Sequence, residues 1–193
     1  MLEWFRRNMF TEEGDFAGKY SRKDADNYYA YPNANLIYGA HLLRQYDISR
    51  KGMQFLMTLQ DRDSGGFFNR KDNVGPTGEQ DVWNTSQAGL TCLLTGHYDE
   101  AIKVGSYLER VWELQPDVKN LLYNVYSPSK GLVMDFPEEQ ASLYCVDVNK
   151  PKQLYFKPGI AAAFLSRLYL YTAEPKHVDL AKEYIDFAMR CSE

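Results

Sequence analysis

Apolar side chains recur at helical spacing along most of the chain, and two kinds of segment alternate. The stretches 34–45, 82–95 and 159–172 are rich in Ala, Leu and Gly and nearly free of charge, the pattern of helices buried on all sides. The stretches 49–60, 99–115 and 178–191 are apolar on one face and charged on the other, as in Asp99-Glu100-Ala101-Ile102-Lys103-Val104, and a similar segment occupies 1–10 with Leu2, Phe5 and Met9 in helical register. The first kind predicts inner helices, the second outer ones. Asp99 and Asp179 stand at helix starts, and Pro116 and Pro175 fall in connections.

A repeat supports the alternation. Thr-Glu-Glu-Gly-Asp-Phe at 11–16 returns about fifty residues later as Asp-Arg-Asp-Ser-Gly-Gly-Phe at 61–67, each after a helical stretch. In both, glycine ends the helix and the Phe returns to the core. The run 117–152 departs from the pattern. There 121–126 and 132–136 flank Ser-Pro-Ser-Lys-Gly at 127–131, which predicts a β-hairpin inserted in a loop, covering one mouth of the helical array.

Gln60 to Phe67 resembles the Gln, acidic, Gly, aromatic turn of the terpene cyclase and protein prenyltransferase toroids. The run from Tyr155 to Leu165, followed by Leu168-Tyr-Leu-Tyr-Thr, equally resembles the inner helices of six-hairpin glycosidases and sugar epimerases. The resemblance implies an all-α fold of antiparallel helical hairpins forming part of an (α/α) toroid, a single domain over 1–193 with the small β-hairpin insertion. Such families close a ring of about six hairpins, and this chain supplies roughly three and a half. It is expected either to be a piece of a longer protein or to associate with a second copy. In an isolated arc Leu2, Phe5, Met9 and Phe10 at one end, and Ile185, Ala188 and Met189 at the other, would face water.

Composition narrows the partners. A net charge of −4 gives no basic field for phosphates, so nucleic acid is not expected. No apolar run has the length of a membrane span, the first residues do not read as a signal peptide, and three widely spaced cysteines argue against a disulfide framework, so a cytoplasmic location follows as the expectation. Aromatic residues make up 15% of the chain, more than a small helical core needs, which points some of them toward a concave surface or an interface, the plainer reading being that they pack the core.

Chemistry is expected where the inner helices begin. Three clusters lie there: 27–35, with Asn27, Tyr28, Tyr31, Asn33 and Asn35; 79–86, with Glu79, Asp81, Trp83 and Asn84; and 153–157, with Tyr155 and Lys157. Rings mixed with amide, carboxyl and amine groups suit a ligand that is stacked on its face and hydrogen-bonded at its rim, a sugar or another polyoxygenated small molecule. The plainer reading makes Asp81, Asn33 and Asn35 helix caps and Trp83 core. The functional reading takes Asp81 and Glu79 as acid and base, with Asp135 a third carboxylate candidate, and Tyr31, Asn35, Trp83, Asn84, Tyr155 and Lys157 as ligand contacts. Asp81 to Ser86 also resembles the Asp-x-Asp-Asp-Thr stretch of class II terpene cyclases, but Trp83 stands where that family carries its proton-donating carboxylate. His41, His97 and His177 read as core or capping residues; neither metal-ligand spacing nor a phosphate loop is present, and no cofactor is expected. The resulting expectation is a toroid-type hydrolase, lyase or isomerase acting on a carbohydrate-like molecule. The alternatives are a terpenoid cyclase-like enzyme without its usual acid and a helical scaffold for a peptide or protein.

Overall fold

The computed structural model describes residues 2–16 and 29–191, so Asn27, Tyr28 and the side chain of Leu2 lie outside it. Outer helices α1 (Leu2–Asn8), α3 (Tyr46–Met57), α5 (Tyr98–Glu113) and α8 (Pro175–Arg190) alternate with inner helices α2 (Ala30–Leu42), α4 (Val82–Thr95) and α7 (Phe156–Thr172). Inner helix α4 packs against α2 on one side and α7 on the other, while α2 pairs with α3, α4 with α5 and α7 with α8. This is the predicted sequence of outer and inner helices, a mostly helical chain with few short strands.

The outer helices earn their place by one face. On α5 the buried side chains are Ala101, Val104, Tyr107, Leu108 and Val111; on α8 they are His177, Ala181, Tyr184 and Phe187 at matching helical intervals. The inner helices carry small residues where two neighbours press on them, Ala30, Ala34 and Ala40 on α2, Ala88 on α4, Ala161 and Ala162 on α7. α4 is flanked on both sides and is the most fully buried of the three. α2 and α7 stand at the ends of the inner row and leave apolar side chains open, Leu42 at 59% and Leu170 at 81% exposure.

The repeat is a repeat of structure. Gly14 and Gly65 both adopt left-handed φ, +94° and +82°, and each lies flat on the backbone of an outer helix, where an added Cβ would sit 2.3 Å from Lys51 O and 2.2 Å from Lys103 O. In the first unit the Phe16 amide donates to Asn33 Oδ1 at 2.9 Å. In the second the Phe67 amide donates to Thr85 Oγ1 at 3.0 Å. Asn33 and Thr85 are each the fourth residue of an inner helix, so each turn is tied to the inner helix that follows it.

Two expectations are corrected. The apolar residues at this end do not all face water: Phe5 of α1 and Met9 and Phe10 just after it pack against the core, while Arg6 holds the helix to α3 through Asp47 at 2.9 Å. At the far end Ile185 and Met189 are exposed, as expected, while Ala188 is half-buried. The inserted hairpin is shorter than read from sequence. Strand β3 (Val125–Ser127) pairs antiparallel with β4 (Gly131–Leu132) and also with β1 (Gln80–Asp81), whereas β2 (Leu121–Tyr123) pairs with β5 (Cys145–Asp147). The 121–126 run divides at Asn124, whose amide donates to Tyr144 O and whose carbonyl accepts from the Val82 amide. Between the strands lie a 3-10 turn, Glu138–Gln140, and the one-turn helix α6 (Ala141–Tyr144). The insertion thus sits on the start of α4, the mouth where the candidate residues gather.

Candidate functional site

The N-terminus of α4 organises the site. Asp81, in extended conformation, is its N-cap: its carboxylate accepts from the amides of Trp83 at 2.7 Å and Asn84 at 3.3 Å. Its second oxygen receives the Lys157 ammonium at 3.1 Å, and the same ammonium donates to the carbonyl of Leu143. Both side chains are buried, which costs several kcal/mol per ion unless the remaining valences are filled, and here most are. Lys157 thereby fastens α7 and α6 to α4.

A chain of amides extends this knot to α2. Asn69 Oδ1 accepts from the Asp81 amide and from Asn84 Nδ2, each at 2.9 Å. Asn84 Oδ1 in turn accepts from the Tyr31 amide at 2.9 Å. Asn84 and Lys157 have no exposed surface and Asn69 is buried, so within this arrangement they set the relative positions of three inner helices.

Over the same helix starts lies an aromatic group. The Tyr31 and Trp83 rings are 4.3 Å apart and tilted, and Phe156 meets Trp83 edge-on at 4.9 Å. Tyr31 and Trp83 are half-buried, and Phe156 is 46% exposed. Asn35, half-buried, lies one turn further along α2 on the same face as Tyr31. Tyr155 points elsewhere: its hydroxyl donates to Lys150 O at 2.8 Å and its ring packs on the core.

Glu79 and Asp81 line one cavity of about 90 Å³ together with Asn69, Arg70, Asn73 and Tyr144. Glu79 is half-buried and accepts from the Tyr144 hydroxyl, 3.2 Å from each carboxylate oxygen. Burial and the Glu79 charge push the Tyr144 phenol up to about 12, so it stays a proton donor to Glu79 across the neutral range. Asp135 is exposed and is not part of this lining.

The structure therefore brings Glu79, Asp81, Trp83, Asn84, Tyr31 and Lys157 to one end of the inner helices, with Asn35 alongside and Tyr155 turned away. It adds Asn69, Tyr144 and Phe156. Phe156 was within reach of sequence reasoning, since it opens α7 beside Tyr155. Asn69 and Tyr144 belong to loops whose partners are set by tertiary pairing, and no spacing marks them.

The histidines repeat a motif at the other end of the helices. His41 Nδ1 lies 3.3 Å from Ser49 Oγ, His97 Nδ1 lies 2.9 Å from Thr95 Oγ1, and His177 Nδ1 lies 2.8 Å from Thr172 Oγ1. Each clamps an inner helix to the outer helix after it.

No family model matches the sequence, and no curated protein matches it. Among solved structures the chain is similar to an α-mannanase of glycoside hydrolase family 76 from Bacteroides thetaiotaomicron, with a TM-score of 0.58, 16% identity and coverage of 90% of this chain. The chain spans about half of that enzyme, 47% of its length. At this identity the likeness shows the fold alone, a mostly helical array of hairpins, and not an activity.

Proposed function

We propose that this chain carries the ligand-binding end of a toroid-type enzyme acting on a carbohydrate or a similar polyoxygenated molecule. The observation that carries the reading is that Glu79 and Asp81 line one cavity with Tyr144, at helix starts that also present the Tyr31–Trp83–Phe156 aromatics. Rings offer apolar C–H faces of a sugar a surface, and carboxylate and amide groups answer its hydroxyls. A polyene would want an apolar lining, and the lining here contains Asn69, Arg70, Asn73 and Glu79. In this reading Glu79, partly open and already sharing a proton donor, transfers the proton. Asp81, capped and ion-paired, is a positioning residue that holds the start of α4.

Because the structural neighbour is an α-mannanase, α-mannan oligosaccharides are the first probe. Binding measured by calorimetry is expected to weaken about tenfold in Trp83→Ala, whereas Glu79→Gln should keep binding and lose roughly 10²–10⁴-fold in the rate of product formation. If the Trp83 variant binds every saccharide tried as the parent does, the aromatic site is not where the ligand sits. A helical scaffold is the second reading, favoured by the exposed Leu42, Leu43, Leu170 and Tyr171 near the opposite ends of α2 and α7.

A further inference from the structure

Past the aromatic group, toward the middle of the inner helices, the row carries polar groups that the fold itself does not use. We propose, resting on the carbohydrate reading of the aromatic end, that this surface is a subsite for an acidic sugar residue, with Arg167 and Tyr38 binding its carboxylate.

Two layers of side chains span the three inner helices. α2 and α7 both pack on α4, and α5 covers the outer side of α4, so whatever joins α2 to α7 crosses the inner side of α4. The first layer is the Tyr31–Trp83–Phe156 group at the helix starts. The second is the bond from Arg167 Nη1 on α7 to Tyr38 Oη on α2, at 2.9 Å. Tyr38 follows Tyr31 by seven residues, which is two turns, about 10 Å, along the same face. Arg167 follows Phe156 by eleven residues on one face of α7, and its side chain leans back toward the helix start to meet Tyr38.

Between the layers stand two amides. Asn35 is one turn after Tyr31 and Gln87 one turn after Trp83, on the faces those rings define. Gln87 is 8% exposed, its side-chain amide has no hydrogen bond among the described residues, and its nitrogen and oxygen are not enclosed. The little surface it keeps therefore includes its amide end. Asn35, half-buried, is likewise without a side-chain bond among the described residues. A mostly buried amide with nothing to bond is costly, and the hydroxyls of a sugar supply both the acceptor and the donor it lacks.

Charge selects the kind of sugar. None of the three inner helices contains Asp or Glu. Lys157 is spent on Asp81, which leaves Arg167 as a cation whose partner is a phenol and not a carboxylate. In that bond the Tyr38 oxygen accepts, so its own proton is still to be donated, and the guanidinium keeps further N–H groups in a planar fork. A phenol O–H and a guanidinium edge held this close converge on one oxyanion. The fork matches the two oxygens of a carboxylate, and a single guanidinium balances its single charge, whereas a phosphate ester would bring nearly two. The aromatic layer, about 10 Å away, then takes a neighbouring residue of the same saccharide.

Calorimetric titration of the whole chain with tetrasaccharides of galacturonic and of mannuronic acid, their methyl esters, a sulfated α-mannotetraose and neutral α-mannotetraose tests this. At least one acid is expected to bind about 10–100-fold more tightly than its own methyl ester, with the difference shrinking as salt is added. Arg167→Gln, at an exposed position, should abolish that preference and leave binding of the ester unchanged. Tyr38→Phe should weaken the acid about tenfold, and Trp83→Ala should weaken acid and ester alike. The carboxylate subsite is overturned if acid and ester bind equally, if folded Arg167→Gln keeps the preference, or if the sulfated sugar binds more tightly than both acids. Neutral sugars and esters that bind through Trp83, with nothing gained by the acids, would sink the subsite and leave the carbohydrate reading standing; a protein that binds none of the six would sink both.

Discussion

At the scale of single residues the buried pair Asp81–Lys157 is the sharpest test of what holds the site together. Removing one partner of a buried ion pair leaves the other charge unpaired, and Lys157→Met is expected to cost about 3–5 kcal/mol in urea unfolding. The double variant with Asp81→Asn should cost less than the two single changes added, because each single change already breaks the same bond. Additive costs would mean that the pair contributes nothing specific. Phenols give a second test. Tyr107 and Tyr184 are fully buried and raised by desolvation, and Tyr144 is raised to about 12. A folded pKa above the unfolded value near 10 gives stability that is present below pH 10 and lost as pH rises beyond it. Denaturant midpoints should therefore hold steady from pH 7 to 9 and fall above pH 10, and Tyr144→Phe should flatten part of that fall. What the sequence disclosed at this scale was residue type: Asp81 was readable as a cap because it precedes an apolar helix. Its ammonium partner lies 76 positions away, and only the fold joins them.

Among the elements, the two Gly turns show how a local signal becomes a packing rule. Gly65 needs both a left-handed backbone and an empty Cβ position against Lys103 O, whereas Gly96, with φ of +83°, closes α4 with nothing within 4 Å of a Cβ. Gly96→Ala should therefore cost the left-handed penalty of about 1–2 kcal/mol, and Gly65→Ala distinctly more, since the obstacle is backbone that cannot rotate away. Equal losses of thermal stability in the two variants would show that the contact with α5 is unimportant. The helices were legible because burial imposes a period on them, and α4 was placed at its observed bounds. The strands were less so. The run Leu121 to Tyr126 has one uniform β pattern, yet Asn124 splits it between β5 and β1 through bonds to Tyr144 and Val82 that only the folded insertion supplies. Tyr144, which sets the proton environment of Glu79, is carried on that insertion and was hidden for the same reason.

For the molecule as a whole, the inner helices pose a question that the outer ones do not. α2 and α7 flank α4, and Arg167 reaches from α7 to the Tyr38 hydroxyl of α2 at 2.9 Å, so the row curves and presents a concave side. Toward the ends opposite the carboxylates, Leu42, Leu43, Leu170 and Tyr171 are 50% or more exposed, and on α8 Met189 is 79% exposed. Each such side chain, if covered, contributes roughly 1.5–3 kcal/mol, so a matching surface has ample drive to bind. The chain is accordingly expected to self-associate at micromolar concentration, with the inner helices' lower ends in the contact. Sedimentation equilibrium checks this: Leu170→Ser combined with Leu43→Ser should weaken association by about tenfold or more, while Met189→Ser on the outer wall should change it little. A protein that sediments as a monomer at all concentrations, with the double variant indistinguishable from the parent, would show that these leucines are tolerated in water. The location of the effect matters as much as its size. Association through Met189 would place the contact on the outer wall and leave the carboxylate end of the inner helices open to small molecules.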